Sequence, residues 1–446
     1  MTDTALPGAR LRPASPLRAE TSALLRLAAP MTLVALVNMA MSVTDTLMAA
    51  SFGAGGLAAV AVGSDFYSIV FVFAAGTIGG LAPLYAAAAE AGDAGRLRRL
   101  RAAGWMLAVL LAFVAVPIVW TAPGYLCRLG IPEMLLEEGR GYTRAMAVTL
   151  APMLVVAMFR NRLLALERPG LIARITACAI PANAALNWVL MHGAGTWSGF
   201  GITGLGLSSL LVAFGITVAL CFACSRNGDR GLDFAAICEL REALRVGLPI
   251  GFTMLAELGV FLGATLFAAR FGAETAAAHA LTIRLAGLVY AVSIGLQQAA
   301  TIRMARRAEA GDRRLPFIAG TRLGLAAGLA HAAILGAVAI PLSDAVLHDP
   351  ATAETAAGLI MLLALSELLV PLGAVAAGLM RGLKDTRMPM VFSLLGNWGV
   401  TLPTALLLTV AGLGVTGIWL ALASGSVIAS ALTALRLRRH RAPQPA

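Results

Sequence analysis

Long apolar runs separated by short polar breaks fill the chain from residue 25 to residue 437. A membrane-spanning helix needs about 20 mostly apolar residues, and runs of this length recur about twelve times. With 59% hydrophobic and 13% charged residues, the chain is excluded from the disordered and disulfide-rich secreted classes. The runs predict an all-α integral membrane protein of about twelve transmembrane helices, at 25–50, 57–88, 101–121, 140–166, 170–192, 201–225, 245–270, 277–307, 316–343, 353–381, 388–411 and 413–437.

Basic residues alternate between the loops. They collect after every even-numbered run, at 96–101, 162–168, 226–245, 303–314, 381–387 and 436–441, and are nearly absent from the other loops. The positive-inside rule therefore predicts a multi-pass protein of the inner (plasma) membrane with both termini in the cytoplasm. The net charge of +11 is explained by attraction to an anionic lipid leaflet, and no nucleic-acid-binding motif is present.

The two halves of the chain resemble each other at a fixed offset of 219 residues. The blocks FGA and AEAGD occur in both halves at this offset. Because the offset covers an even number of helices, both copies have the same orientation, so a pseudo-twofold axis along the membrane normal relates them. The repeat predicts two six-helix lobes, at 1–228 and 229–446, which is a common plan of transporters.

Acidic residues inside the apolar runs are the first candidate functional groups. A charge at the centre of a membrane helix costs about 2.5–3.5 kcal/mol on insertion scales. Asp45 lies deep in the first run and Asn38 lies two turns before it, while the repeat pairs Asn38 with Glu257 in the seventh run. These acids predict a site for a cation or a proton in a wet cavity. A neutral carboxyl group that is hydrogen-bonded inside the bundle is the alternative.

Three further polar pairs or single groups lie within the runs. Asn183 and Asn187 are four residues apart on one helix face, where their amide oxygens suit Na⁺, a neighbouring acid or a helix–helix hydrogen bond. Asp65 is related by the repeat to Arg284, which predicts either an ion pair or gate, or two separate interfacial residues. His331 is interpreted as a polar packing group. No catalytic constellation, structural metal motif or cofactor motif is present, so we expect neither an enzyme nor a cofactor.

Several blocks resemble one family of transporters. The run VTDTLMAA at 43–50 followed by FGAGGLAAVAV, the stretch NAALNW at 183–188 followed by GITGLG, and AAGLMRG at 376–382 are similar to the multidrug and toxic compound extrusion (MATE) family. The likeness extends over nearly the whole chain and keeps the order of the blocks. The NorM-like branch is favoured because residue 187 is asparagine.

The resemblance implies two lobes around a central cavity and cation-driven export of small organic cations by alternating access, by a monomer whose coupling ion is Na⁺ or H⁺. It implies that Asp45 is the coupling acid, with Asn183, Asn187 and Thr203 as companions, and that Glu257 is the acid of the seventh helix. The aspartate that the branch carries in its tenth helix is replaced by Val370, and Glu367 lies three residues away. We therefore group Glu257, Asn38 and Glu367 as a second acidic site.

Two other functions remain open at this stage. A flippase for lipid-linked precursors, from the same superfamily, would use cationic groups such as Arg174 and Arg284 to hold a pyrophosphate. A passive channel would release substrates without dependence on a sodium or proton gradient.

Overall fold

A computed structural model describes residues 16–129, 133–193, 195–224, 236–347 and 349–439. The described residues form helices and contain no β-strand. The α-helices are α1 (Pro16–Ala50), α2 (Gly53–Ile78), α3 (Leu81–Glu90), α4 (Ala94–Trp120), α5 (Ala122–Leu126), α6 (Glu133–Glu138), α7 (Arg140–Ala165), α8 (Pro169–His192), α9 (Ile202–Cys224), α10 (Ile237–Ala268), α11 (Ala273–Glu309), α12 (Arg314–Val346), α13 (Pro350–Glu367), α14 (Val370–Gly382), α15 (Arg387–Leu394), α16 (Thr401–Val410) and α17 (Gly414–Arg439).

Twelve helical spans among the described residues are long and apolar enough to cross a membrane, as the apolar runs predict. Span two contains α2 and α3, span ten contains α13 and α14, and span eleven contains α15, a π-helical turn at Leu395–Val400 and α16. The other spans are the single helices α1, α4, α7, α8, α9, α10, α11, α12 and α17. The spans form two six-span lobes, and the predicted boundary between residues 228 and 229 lies outside the described residues.

The two lobes are related by the internal repeat down to single contacts. A Cβ placed on Gly76 of α2 would lie 2.8 Å from the Cα of Gly251 on α10. The offset of 219 residues carries this pair to Gly295 and Thr32, where a Cβ on Gly295 of α11 would lie 2.3 Å from the Oγ1 of Thr32 on α1. Span two thus packs on span seven as span eight packs on span one, which is the pattern expected from a pseudo-twofold axis.

Glycines line the closest approach between the lobes. Gly76 and Gly80 of span two face Gly251 and Gly247 of α10, and we call these four residues the glycine seam. A Cβ on Gly80 would lie 2.6 Å from the Cα of Gly247, and a Cβ on Gly247 would lie 1.9 Å from the carbonyl oxygen of Thr77. Backbones can approach so closely only where side chains are absent, so the seam fixes how near the lobes come.

Ion pairs join the lobes at the end of the bundle that carries the basic loops, which we call the arginine-rich end. The Glu20 carboxylate of α1, whose side chain has no exposed surface, accepts two hydrogen bonds of 2.7 Å from Arg303 of α11. Arg303 also donates to Glu167 at 2.5 Å. Further pairs across the lobe boundary at this end are Arg307–Glu20, Arg306–Glu90, Arg306–Glu167, Arg96–Glu242 and Arg99–Glu239.

Candidate functional site

A cavity of about 550 Å³ lies between the lobes and extends into the second lobe. Most of its wall is apolar, and its ionisable side chains are Arg160, Glu257, Tyr290 and Glu367. Helices α1, α2 and α7 supply the wall from the first lobe, and the second lobe supplies the remainder. An apolar wall with a few polar groups is typical of a site for a small organic molecule.

The structure brings the predicted second acidic site together in this cavity. Asn38, Glu257 and Glu367 all line it, although they come from α1, α10 and α13. The Tyr290 hydroxyl of α11 donates a hydrogen bond of 2.9 Å to the Glu257 carboxylate. The sequence gave no reason to select Tyr290, because one aromatic residue in an apolar helix is ordinary core material.

Glu367 has a partner that sequence reasoning missed. The Nδ1 atom of His331 on α12 lies 2.8 Å from Oε2 of Glu367, and both side chains are 7% exposed. One proton must lie between these two atoms for the contact to be a hydrogen bond. Glu367 is the last residue of α13, where span ten breaks before Pro371, and Val370 lines the same cavity. The cavity therefore has an acid within one helical turn of the position that Val370 occupies.

A second polar cluster lies within the first lobe, away from the lining of the cavity. The Nδ2 atom of Asn187 on α8 donates a hydrogen bond of 2.6 Å to Asp45 Oδ1 on α1. The same nitrogen lies 3.3 Å from the Oδ1 of Asn183, one turn earlier. Asn183 and Asn187 are 1% and 0% exposed, and Asp45 is half-buried. The structure thus assembles the predicted acid and both predicted amides.

The amide groups of this cluster still have free hydrogen-bonding capacity. Oδ1 of Asn187 and Nδ2 of Asn183 are buried and have no hydrogen-bond partner among the described residues. Carboxylate and amide oxygens are hard ligands of the type that bind alkali and alkaline-earth cations. The cluster is therefore able to hold a small cation at Asp45, or a proton on its carboxylate.

The structure does not bring the remaining predicted residues into these two clusters. Thr203 packs at the start of α9 against Gly141, where a Cβ would collide with the threonine side chain. Asp65 and Arg284 are both exposed, and neither forms an ion pair with a described residue. They lie on α2 and α11, in different lobes. Arg174 is exposed on α8 and, like Arg284, does not line the cavity, so neither is placed to hold a pyrophosphate there.

Comparison with known proteins gives one consistent result. The MatE family model matches residues 30–189 and 249–407, two stretches that begin 219 residues apart, as the repeat does. A Mesorhizobium japonicum protein named probable multidrug resistance protein NorM is 31% identical, with 96% of each chain covered. The multidrug resistance protein NorM of Burkholderia vietnamiensis is 32% identical, with 92% of each chain covered.

Solved structures show the same fold. A mutant of the Vibrio cholerae MATE transporter VcmN superposes with a TM-score of 0.84 at 17% identity, covering 95% of this chain and 97% of that chain. The eukaryotic MATE transporter AtDTX14 superposes with a TM-score of 0.83 at 17% identity, covering 95% and 96%. The twelve-helix, two-lobe architecture is therefore shared at low sequence identity.

Proposed function

The chain belongs to the MatE family of membrane transporters, and from this premise we propose that it exports small organic cations by antiport against Na⁺ or H⁺. The names of its relatives, which describe multidrug resistance, support a broad substrate range. The cavity supports it too, because Glu257 and Glu367 supply two acids in an otherwise mainly apolar wall. Organic cations match such a wall in both charge and hydrophobicity.

Loop charge supports the orientation of the transporter in the inner membrane. By the positive-inside rule the arginine-rich end and both termini lie in the cytoplasm. The interlobe ion pairs then seal the cavity from the cytoplasm, so this conformation is the one that releases substrate outward. Alternating access requires that these pairs separate when the cavity opens to the other side. We propose that one chain performs this cycle as a monomer, since each chain holds both lobes and the cavity between them.

The hydrogen bond from Asn187 to Asp45 is the observation on which the coupling mechanism depends. A cation that binds at Asp45, with Asn183 and Asn187 as companions, neutralises the carboxylate and competes for the amide. Such binding shifts the protein between inward- and outward-facing states to the extent that its affinity differs between them. Glu257, Asn38 and Glu367 form the second cation-binding group, in contact with the cavity and hence with substrate.

The test is ethidium efflux from cells that carry Asp45→Asn. Asparagine keeps the size of the side chain but has no charge, and a hydrogen bond to a charged group is worth about 1.5–3 kcal/mol. We expect efflux to fall by about tenfold or more. The matched control is Asp344→Asn, which removes an exposed carboxylate near the end of α12 and should leave efflux unchanged. Wild-type efflux in Asp45→Asn at equal expression would remove Asp45 from the mechanism.

Vesicles with imposed gradients identify the coupling ion. Efflux should respond to a sodium gradient or to a proton gradient, and Asp45→Asn should abolish that response. Efflux that is insensitive to both gradients would contradict antiport and indicate a passive channel.

A further inference from the structure

Arg160 is the one cationic side chain that lines the cavity within the described residues. It lies on α7, five residues before the end of the helix at Ala165, or about 8 Å along the helix axis. It forms no ion pair or hydrogen bond with a described residue, and its Nε is buried without a partner. An arginine inside a membrane span normally pairs with an acid, a carbonyl oxygen or water, so this guanidinium needs an explanation.

The neighbouring ionisable groups show that the missing partner is particular to Arg160. Glu257 accepts a hydrogen bond from Tyr290, and Glu367 is in contact with His331. Arg381, which is buried beside the cavity wall and is 6% exposed, donates a hydrogen bond of 2.7 Å to Oε1 of Gln297. Each of these charged groups has a protein partner, whereas Arg160 has none.

Two other buried polar atoms in the same cavity wall also have no partner. They are the Oγ of Ser293 and the Oε1 of Gln298, both on α11. A buried polar group without a hydrogen bond is unfavourable by about 1–3 kcal/mol, and a bound polar solute would relieve this. The unsatisfied atoms therefore indicate a polar subsite within a mainly apolar cavity.

We infer that Arg160 binds a carboxylate of the exported molecule, so that the cavity takes amphoteric organic molecules with one cationic and one anionic group. A guanidinium presents a planar fork of N–H donors that matches the two oxygens of a carboxylate. The two acids of the cavity suit the cationic group. A pyrophosphate would be repelled by these same acids, so the wall favours a singly charged carboxylate. The inference rests on the proposed export of organic cations.

The test compares two probes that differ only in the carboxylate. Rhodamine B has a cationic ring system and a free carboxylate, and its ethyl ester keeps the cation but lacks the anion. The purified full-length protein is titrated with each probe by fluorescence anisotropy, and efflux of each probe is measured in cells. The variants are Arg160→Gln, Arg160→Lys and the control Arg168→Gln, which removes an exposed arginine of the loop after α7.

Arg160→Gln should raise the Kd for rhodamine B by about tenfold or more and leave the Kd for the ester within about twofold. Arg160→Lys should retain part of the difference between the probes, because it keeps the charge but not the fork. Arg168→Gln should behave as the wild type with both probes.

Three results would overturn the inference. An equal loss for both probes in Arg160→Gln would mean that the arginine only supports the fold. No change for either probe would mean that it does not contact the carboxylate. A wild type that binds and exports the ester but not rhodamine B would disprove the carboxylate site and leave cation export standing, whereas failure with both probes would overturn the proposed function as well.

Discussion

Replacement of Glu20 by glutamine tests whether the interlobe ion pairs hold the cavity shut at the arginine-rich end. The Glu20 carboxylate is fully buried and accepts hydrogen bonds from Arg303 at 2.7 Å and from Arg307 at 3.1 Å. Removing one partner of a buried pair costs about 3–5 kcal/mol when the other charge is left alone. Here Arg303 keeps Glu167 at 2.5 Å, so we expect about 2–3 kcal/mol.

This free energy applies only to the state in which the lobes are joined at this end. At 1.36 kcal/mol for each factor of ten, Glu20→Gln should increase the ratio of open to closed molecules by about 30- to 150-fold. The assay is maleimide labelling of a reporter, Ala243→Cys, in a protein whose five native cysteines are replaced by serine. Ala243 is 0% exposed and its carbonyl oxygen lies beside Gly80, so the reporter reacts only when the seam opens.

A matched control is Glu90→Gln, which breaks the single contact of 2.8 Å with Arg306 at a carboxylate that is 34% exposed. Exposed pairs contribute about 0–1 kcal/mol, so labelling should rise by no more than about fivefold. If Glu20→Gln and Glu90→Gln label at the same rate, the buried pair is not the lock, and the assignment of the sealed end is wrong.

Two further predictions concern the second lobe and the glycine seam. Replacing either Glu367 or His331 by leucine should leave the other group buried without its partner, so the pair should show a coupling of about 1.5–3 kcal/mol in a double-mutant cycle of thermal unfolding; strictly additive losses would show that the contact stabilises nothing. Gly247→Ala should raise labelling of the Ala243→Cys reporter, because its Cβ would lie 1.9 Å from the Thr77 carbonyl oxygen, whereas Gly263→Ala, which faces open space, should not; equal labelling in these two variants would contradict the seam.

The number of spans followed from the sequence because apolar length is set by the thickness of the bilayer. The ends of the helices did not. Spans one and seven begin at Pro16 and Ile237, about eight residues before the predicted starts at 25 and 245. These early turns carry charges such as Glu20 and Glu239, which are stable there because arginines of the opposite lobe pair with them. An apolar run records where the hydrocarbon begins, and the pairing partner comes from elsewhere in the chain.

The interruptions within spans were also beyond the sequence. Span ten breaks between Glu367 and Val370, and span eleven widens into a π-helical turn at Leu395–Val400. The residues around both features are mostly apolar, so hydropathy continues through them unchanged. Both features adjoin the cavity, which Glu367 and Asn397 line, and irregular helices occur within membranes where they face such a space.

Candidate site residues were found from the sequence where a rare polar group stood alone in an apolar run. Asp45, Asn187 and Glu257 satisfied that rule. His331 and Arg160 did not, for different reasons. One histidine has no partner at helical spacing, and the carboxylate beside His331 comes from another helix. Arg160 lies only two residues before Arg162, so it was counted with bases whose long side chains reach the membrane surface.

The glycine seam makes the lobe boundary behave as a bearing. Interdigitated side chains must be withdrawn from one another before two helices part, which makes such interfaces bistable and slow to release. Between Gly76, Gly80, Gly247 and Gly251 there is nothing to withdraw, because backbone faces backbone. Rocking at this point is therefore governed by charges that surround the contact, and those charges respond to ionic strength and to occupancy of the cavity in a way that interlocked hydrocarbon does not.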